Sequence, residues 1–86
     1  MITGSEFAHA VEALLLEHGA VVRFINGTTP ILVIHRVDER EVIGFGFGSV
    51  FEVCLRDRGY NVIYERVPML TATPAQVAEL IEQAGL

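Results

Sequence analysis

Glu41-Val42-Ile43-Gly44-Phe45-Gly46-Phe47-Gly48-Ser49-Val50-Phe51-Glu52-Val53-Cys54-Leu55 is the stretch on which the fold turns. In its first half Ile43, Phe45 and Phe47 alternate with Val42, Gly44 and Gly46, the period of a strand. A helix here would carry three glycines at about 1 kcal/mol each, so a strand over 41–47 is expected. Its glycine face would let another backbone or a helix approach closely. In the second half Ser49 and Glu52 have the spacing of a capping box, and Val50, Phe51, Cys54 and Leu55 share one side of a helix that Gly59 would end. Arg56 and Arg58 would then stand in its last turn, where positive charge suits the helix dipole.

Working back from this stretch, Asp38-Glu39-Arg40 reads as a polar turn. Ile31 to Val37 reads as a strand that is apolar on both faces at its start, which implies a central position with cover on each side. Asn26-Gly27 suits a hairpin turn, lengthened by Thr28, Thr29 and Pro30, and Ala20 to Ile25 is the strand before it. The first helix is expected to begin at Thr3, capped with Glu6, and to stop at Gly19. Phe7, Val11, Leu14, Leu15 and His18 form its inner stripe; Glu6, Glu12 and Glu17 face outward, and Leu16 lies off the stripe.

Working forward, Asn61 to Val67 is a strand that Pro68 closes. Thr73, Pro74 and Gln76 open a last helix, with Val77, Leu80, Ile81 and Ala84 turned inward before Gly85. The expected order is α-β-β-β-α-β-α: an α+β fold with a mostly antiparallel four-stranded sheet packed by helices. A right-handed crossover through the helix after the third strand would make that sheet mixed.

The chain's 86 residues suit a single domain over 1–86 with one core. Its hydrophobic fraction of 51% is high for that length, which points to apolar surface facing a partner, in a homo-oligomer or a heteromer. No apolar run approaches the ~20 residues of a membrane span, and no basic-then-apolar leader opens the chain, so a cytoplasmic protein without membrane contact is expected. Cys54 is the only cysteine, so the chain can hold no internal disulfide and no cysteine-based zinc site.

All six basic residues are arginines, at 23, 36, 40, 56, 58 and 66. Without lysine the chain cannot perform Schiff-base chemistry, use a phosphate-binding-loop lysine or position ATP as protein kinases do. The net charge of −5 disfavours nucleic acid unless the arginines gather on one face.

No motif carries chemistry. Gly44-Phe45-Gly46-Phe47-Gly48 brings its third glycine one residue too early for a dinucleotide or kinase loop, which leaves a glycine packing face as the reading and an anion site as the alternative. Ser49 follows a strand as a nucleophile elbow would, but Phe47 stands where that motif needs glycine. His9, His18 and His35 lack metal-ligand spacing, and His35 beside Arg36 has no visible partner for acid–base work. Neither a cofactor nor a metal is expected, and the chain does not read as an enzyme.

Two stretches, Ser5 to Ile34 and the closing Leu80-Ile81-Glu82-Gln83-Ala84-Gly85-Leu86, resemble HicA-type toxins, small RNA-cleaving proteins with an αβββα fold like that of double-stranded-RNA-binding domains. The resemblance implies a catalytic histidine after the Gly-Ser of the hairpin. This chain has Gly27-Thr28-Thr29-Pro30 there, and it departs further in its acidity and in the segment from about Glu41 to Tyr60.

The expectation is therefore a nonenzymatic protein-binding module that occupies a partner's surface. It would be a small inhibitor or accessory subunit, of the kind found among mobile-element inhibitors of host defence such as anti-CRISPR proteins. Its contact candidates are Glu12 and Glu17, from an acidic helix face suited to a basic partner, and the apolar Leu16, Phe45 and Phe47. The alternatives are an RNA-binding or RNA-cleaving domain using Arg23, Arg36, Arg40 and His35, and a small-ligand domain built on the glycine-rich turn.

Overall fold

The computed structural model describes residues 3–27, 29–35, 40–57 and 60–84, and within these the side chains of Phe47, Asp57, residues 60–64 and Ala84 lie outside the description. The order is α1 (Gly4–Glu17), β1 (Val21–Ile25), β2 (Ile31–His35), β3 (Glu41–Phe47), β4 (Val50–Asp57), β5 (Tyr60–Pro68) and α2 (Pro74–Ala84). The strands pair in chain order, β1-β2-β3-β4-β5, each antiparallel to the next. The fold is α+β, but the sheet has five strands rather than four.

The fifth strand is the expected helix after Ser49. Gly48, at φ +61°, and Ser49 make a two-residue hairpin loop between paired Phe47 and Val50, and a glycine at a positive-φ loop position is what such a tight turn requires. The chain then reverses and runs as β4, with Phe51 and Val53 buried and Leu55 half-buried on one face, and Val50, Glu52, Cys54 and Arg56 on the other. Both periods fit the sequence Val50–Leu55; tertiary pairing on either side decides for the strand. Among the described residues there is no crossover, and every strand pair is antiparallel. Gly59 and Arg58, assigned to the end of that helix, lie outside the described residues, as do Thr28, Arg36, Val37, Asp38, Glu39 and Gly85.

Both helices cap as their sequences imply. The Thr3 hydroxyl accepts from the Glu6 amide at 3.1 Å. At the other end, Gly19 (φ +81°) donates to the Leu16 carbonyl and Ala20 to that of Leu15, both at 3.0 Å, a Schellman termination. At α2 the box is reciprocal: the Gln76 amide donates to the Thr73 hydroxyl at 3.2 Å, and the Thr73 amide donates to Gln76 Oε1 at 2.8 Å.

The two helices lie side by side on one face of the sheet, and the core fills the space between. It consists of Phe7, Ala8, Val11 and Leu15 from α1, Val77, Ala78 and Ile81 from α2, and Leu32, Ile34, Val42, Phe51 and Val53 from the sheet, closed at the edge by Met69. The rings of Phe7 and Phe51 meet at 5.5 Å. Gly44 makes room for this packing, since a Cβ there would stand 2.8 Å from the Phe51 ring. At Gly46 it would stand 3.6 Å from the Gly4 backbone, so the glycine face receives the start of α1. β2 is apolar on both sides, as expected of a covered strand, yet the helices cover one side alone. Among the described residues no helix is long and apolar enough to cross a membrane.

Candidate functional site: the open face of the sheet

Alternation sends every second residue of β1 to β4 away from the helices. Register then sorts these residues into rows. The first runs Val21, His35, Glu41 and Arg56; the second Arg23, Val33, Ile43 and Cys54; the third Ile25, Ile31, Phe45, Glu52 and Arg66. Phe47 and Val50 pair beyond the third row.

The middle of this face is apolar. Val33 and Cys54 are buried by their neighbours, Ile31, Ile43, Phe45 and Val50 are half-buried, and Val21 and Ile25 are exposed, at 65% and 40%. None of these eight belongs to the core cluster under the helices. Charge collects at the border: Arg23, His35, Arg56 and Arg66 are exposed, Glu41 is half-buried, and Arg66 Nε donates to Glu52 Oε1 at 3.1 Å across β4 and β5.

Cys54 sits in the second row at 3% exposure, and burial first, then the Glu52 carboxylate, push its thiol pKa above the ordinary value; Arg66 pulls weakly the other way. A thiol so held stays protonated at neutral pH and is a poor nucleophile. Among the described residues no three His, Cys, Asp or Glu side chains stand close enough together to hold a metal ion.

The contact candidates from the sequence divide between opposite sides of the molecule. Phe45 lies at the centre of the open face, and Phe47 shares its register face, although its side chain lies outside the description. Glu12, Leu16 and Glu17 belong to α1, on the far side. Leu16 is 52% exposed and Glu17 is exposed, but Glu12 is only 22% exposed at its side chain and is engaged. Its Oε1 lies 3.3 Å from His9 Nδ1, and the His9 ring stacks on Phe24 of β1 at 3.9 Å. His18, expected on the inner stripe, is the exposed C-cap and meets Glu82 of α2. Two carboxylates of the acidic helices therefore serve as internal braces. Of the arginines assigned to an RNA reading, Arg23 is on the open face with His35, and Arg40 precedes β3.

Sequence reasoning missed Ile25, Ile31, Val33 and Ile43 as members of the site. The signal was the double-sided apolarity of β2, which could be followed across the sheet only once β4 was known to be a strand.

A second concavity of about 390 Å³ lies between α2 and the β5 edge, floored by Val67, Ala72 and Leu80 and rimmed by Gln76, Glu79 and Gln83. Among the described residues it gathers no titratable group other than Glu79. No known family model, curated protein or solved structure matches the chain.

Proposed function

We propose that the protein is a nonenzymatic protein-binding module, a small inhibitor or accessory subunit, whose working surface is the open face of the sheet. The observation that carries this reading is the uncovered apolar block of Ile25, Ile31, Val33, Ile43 and Phe45. Three adjacent strands, β1 to β3, carry it outside the core, half-buried or exposed except for Val33, and a contiguous apolar patch on the surface of a small domain is ordinarily an interaction surface. A central apolar patch within a charged rim is the usual anatomy of a protein interface. Aliphatic side chains dominate it, with Glu41 and Glu52 among them, and this composition favours a protein over the stacked bases and phosphates of RNA. Gly44 and Gly46 of the glycine-rich stretch are engaged in packing against Phe51 and Gly4, which weighs against a ligand site on that strand.

The test is affinity capture of the tagged protein from a lysate of its source cells, with and without nuclease, beside the variant Phe45→Glu. The reading expects a protein partner that survives nuclease and is lost with Phe45→Glu, while circular dichroism shows the variant folded. Recovery of RNA-dependent species alone would overturn it.

A further inference from the structure

We infer that the outer edge of β1 receives an extended segment of the partner protein, which adds to the sheet as a further antiparallel strand and carries a carboxylate opposite Arg23. This rests on the protein-binding reading, continues the open face around its β1 border, and states what kind of chain is recognised there.

The backbone gives the first argument. β1 ends the strand order, so among the described residues it is paired on one side alone. The Gly46 amide donates to the Pro30 carbonyl at 3.2 Å, and these two residues stand one step beyond the pair of Ile31 and Phe45. In an antiparallel ladder the N–H and C=O of one residue point to the same neighbour, and the direction alternates along the strand. Residues 30, 32 and 34 therefore turn their backbone groups toward β3, while Ile31, Val33 and His35 turn theirs toward Ile25, Arg23 and Val21 of β1. Val22 and Phe24 are left with an N–H and a C=O each, directed outward at the edge. An extended chain matches that row group for group.

The two edges of the sheet differ in how they are defended. Along β5 the register slips between Val53 and Cys54, which leaves one extra residue on that strand; Pro68 closes it, and Glu65 and Arg66 are exposed. A bulge, a proline and charges are the usual means of keeping another strand off an edge. β1 pairs residue for residue with β2, contains no proline and exposes Val21 and Ile25 at its two ends. Its one charge, Arg23, selects rather than repels.

The side chains on the open side set the chemistry of the segment. Val21, Arg23 and Ile25 head the three rows of the open face, and the row behind Arg23 is Val33, Ile43 and Cys54, with no carboxylate in it. Arg23 is exposed at the middle of the strand. An antiparallel strand sets one residue opposite each of these three, and opposite charges so placed attract. The matching segment alternates apolar, small, acidic, small, apolar: the carboxylate answers Arg23, and the outer pair covers Val21 and Ile25. The two small residues bond Val22 and Phe24 through the backbone. Their side chains fall on the helical side, where the His9 ring already stacks on Phe24 and leaves little for them to cover.

Nuclear magnetic resonance of the isotope-labelled full chain tests the inference, with the synthetic peptide Ser-Thr-Val-Thr-Glu-Thr-Val-Thr-Ser as probe. Wild type is expected to show saturable shifts at the amides of Val22 and Phe24, with slower exchange of those two protons. Arg23→Glu, its circular dichroism unchanged, is expected to weaken binding about fivefold, and a peptide with Lys in place of Glu to restore it on that variant. N-methylation of the two Thr residues that flank Glu blocks the backbone donors facing Val22 and Phe24 and is expected to abolish binding. No shift at millimolar peptide, or shifts that survive N-methylation or centre on Phe45, overturns the edge as a docking site. If the edge is silent while lysate capture still depends on Phe45, the protein-binding reading stands on the open face alone; if the edge binds and capture is indifferent to Phe45→Glu, the edge stands and the open face falls.

Discussion

The two faces of the sheet are made by one alternation and have opposite fates. On the covered face β3 supplies Val42, Gly44 and Gly46, so small that Phe51 and the start of α1 settle directly on the strand. On the open face the same strand supplies Ile43 and Phe45, large residues left half-buried and outside the core under the helices, with Phe47 next in register. Over β3 the covered face has its room in the strand and its bulk in Phe51 and the helices. The open face carries bulk without room, as expected of a surface whose complement comes from elsewhere. Charge follows the same division: carboxylates dominate the helical side, and arginines border the open side.

The largest expected effect breaks the covered face. Phe51→Ala removes a fully buried ring that fills the space over Gly44 and touches Phe7, and should cost about 3–5 kcal/mol in urea unfolding. Gly44→Val attacks the same contact from the other side: its branched side chain would collide with the Phe51 ring, for a loss of about 1–3 kcal/mol. On the open face Ile43→Glu should leave stability within about 1 kcal/mol, because Ile43 is only half-buried there, and should act on capture of the partner instead. That pairing of outcomes would sharpen the contrast; equal destabilisation by both substitutions would erase it.

Smaller effects follow. Thr73→Ala removes the reciprocal cap of α2 and should cost about 1 kcal/mol of stability without altering capture of the partner. Cys54 gives a pH signature. Its folded-state thiol pKa lies above the ordinary 9.0, so the folded state favours the neutral form. The stability this contributes is complete below pH 9.0 and is lost as pH rises through the folded value. Cys54→Val should therefore flatten the alkaline limb of a stability–pH curve.

Much of the covered face could be read directly. The stripe Phe7, Val11, Leu15 and the positions Val77 and Ile81 were set by helical spacing, and Thr3, Gly19 and Thr73 marked helix limits by side-chain chemistry that works locally. β3 was fixed by its glycines, which a helix tolerates poorly. Val50 to Leu55 was misread because Ser49 and Glu52 imitate a cap and because Val50, Phe51, Cys54 and Leu55 suit either period. What decides between them is pairing with β3 and β5, partners that no local pattern reveals. That one element also hid the site: a helix there could have supplied the second cover that β2 calls for, whereas a strand extends the uncovered face. Phe45 was recognised as a contact candidate. Ile31, Val33 and Ile43 were not, since their common surface exists only in the register of the assembled sheet.

The most direct test compares the two sides of the molecule in the cells that make it, with the photo-crosslinker p-benzoylphenylalanine placed at Phe45 in one version and at Leu16 in another. The account predicts protein adducts from position 45 and none from position 16. Adducts from position 16 alone, or nucleic acid in place of protein at position 45, would contradict it.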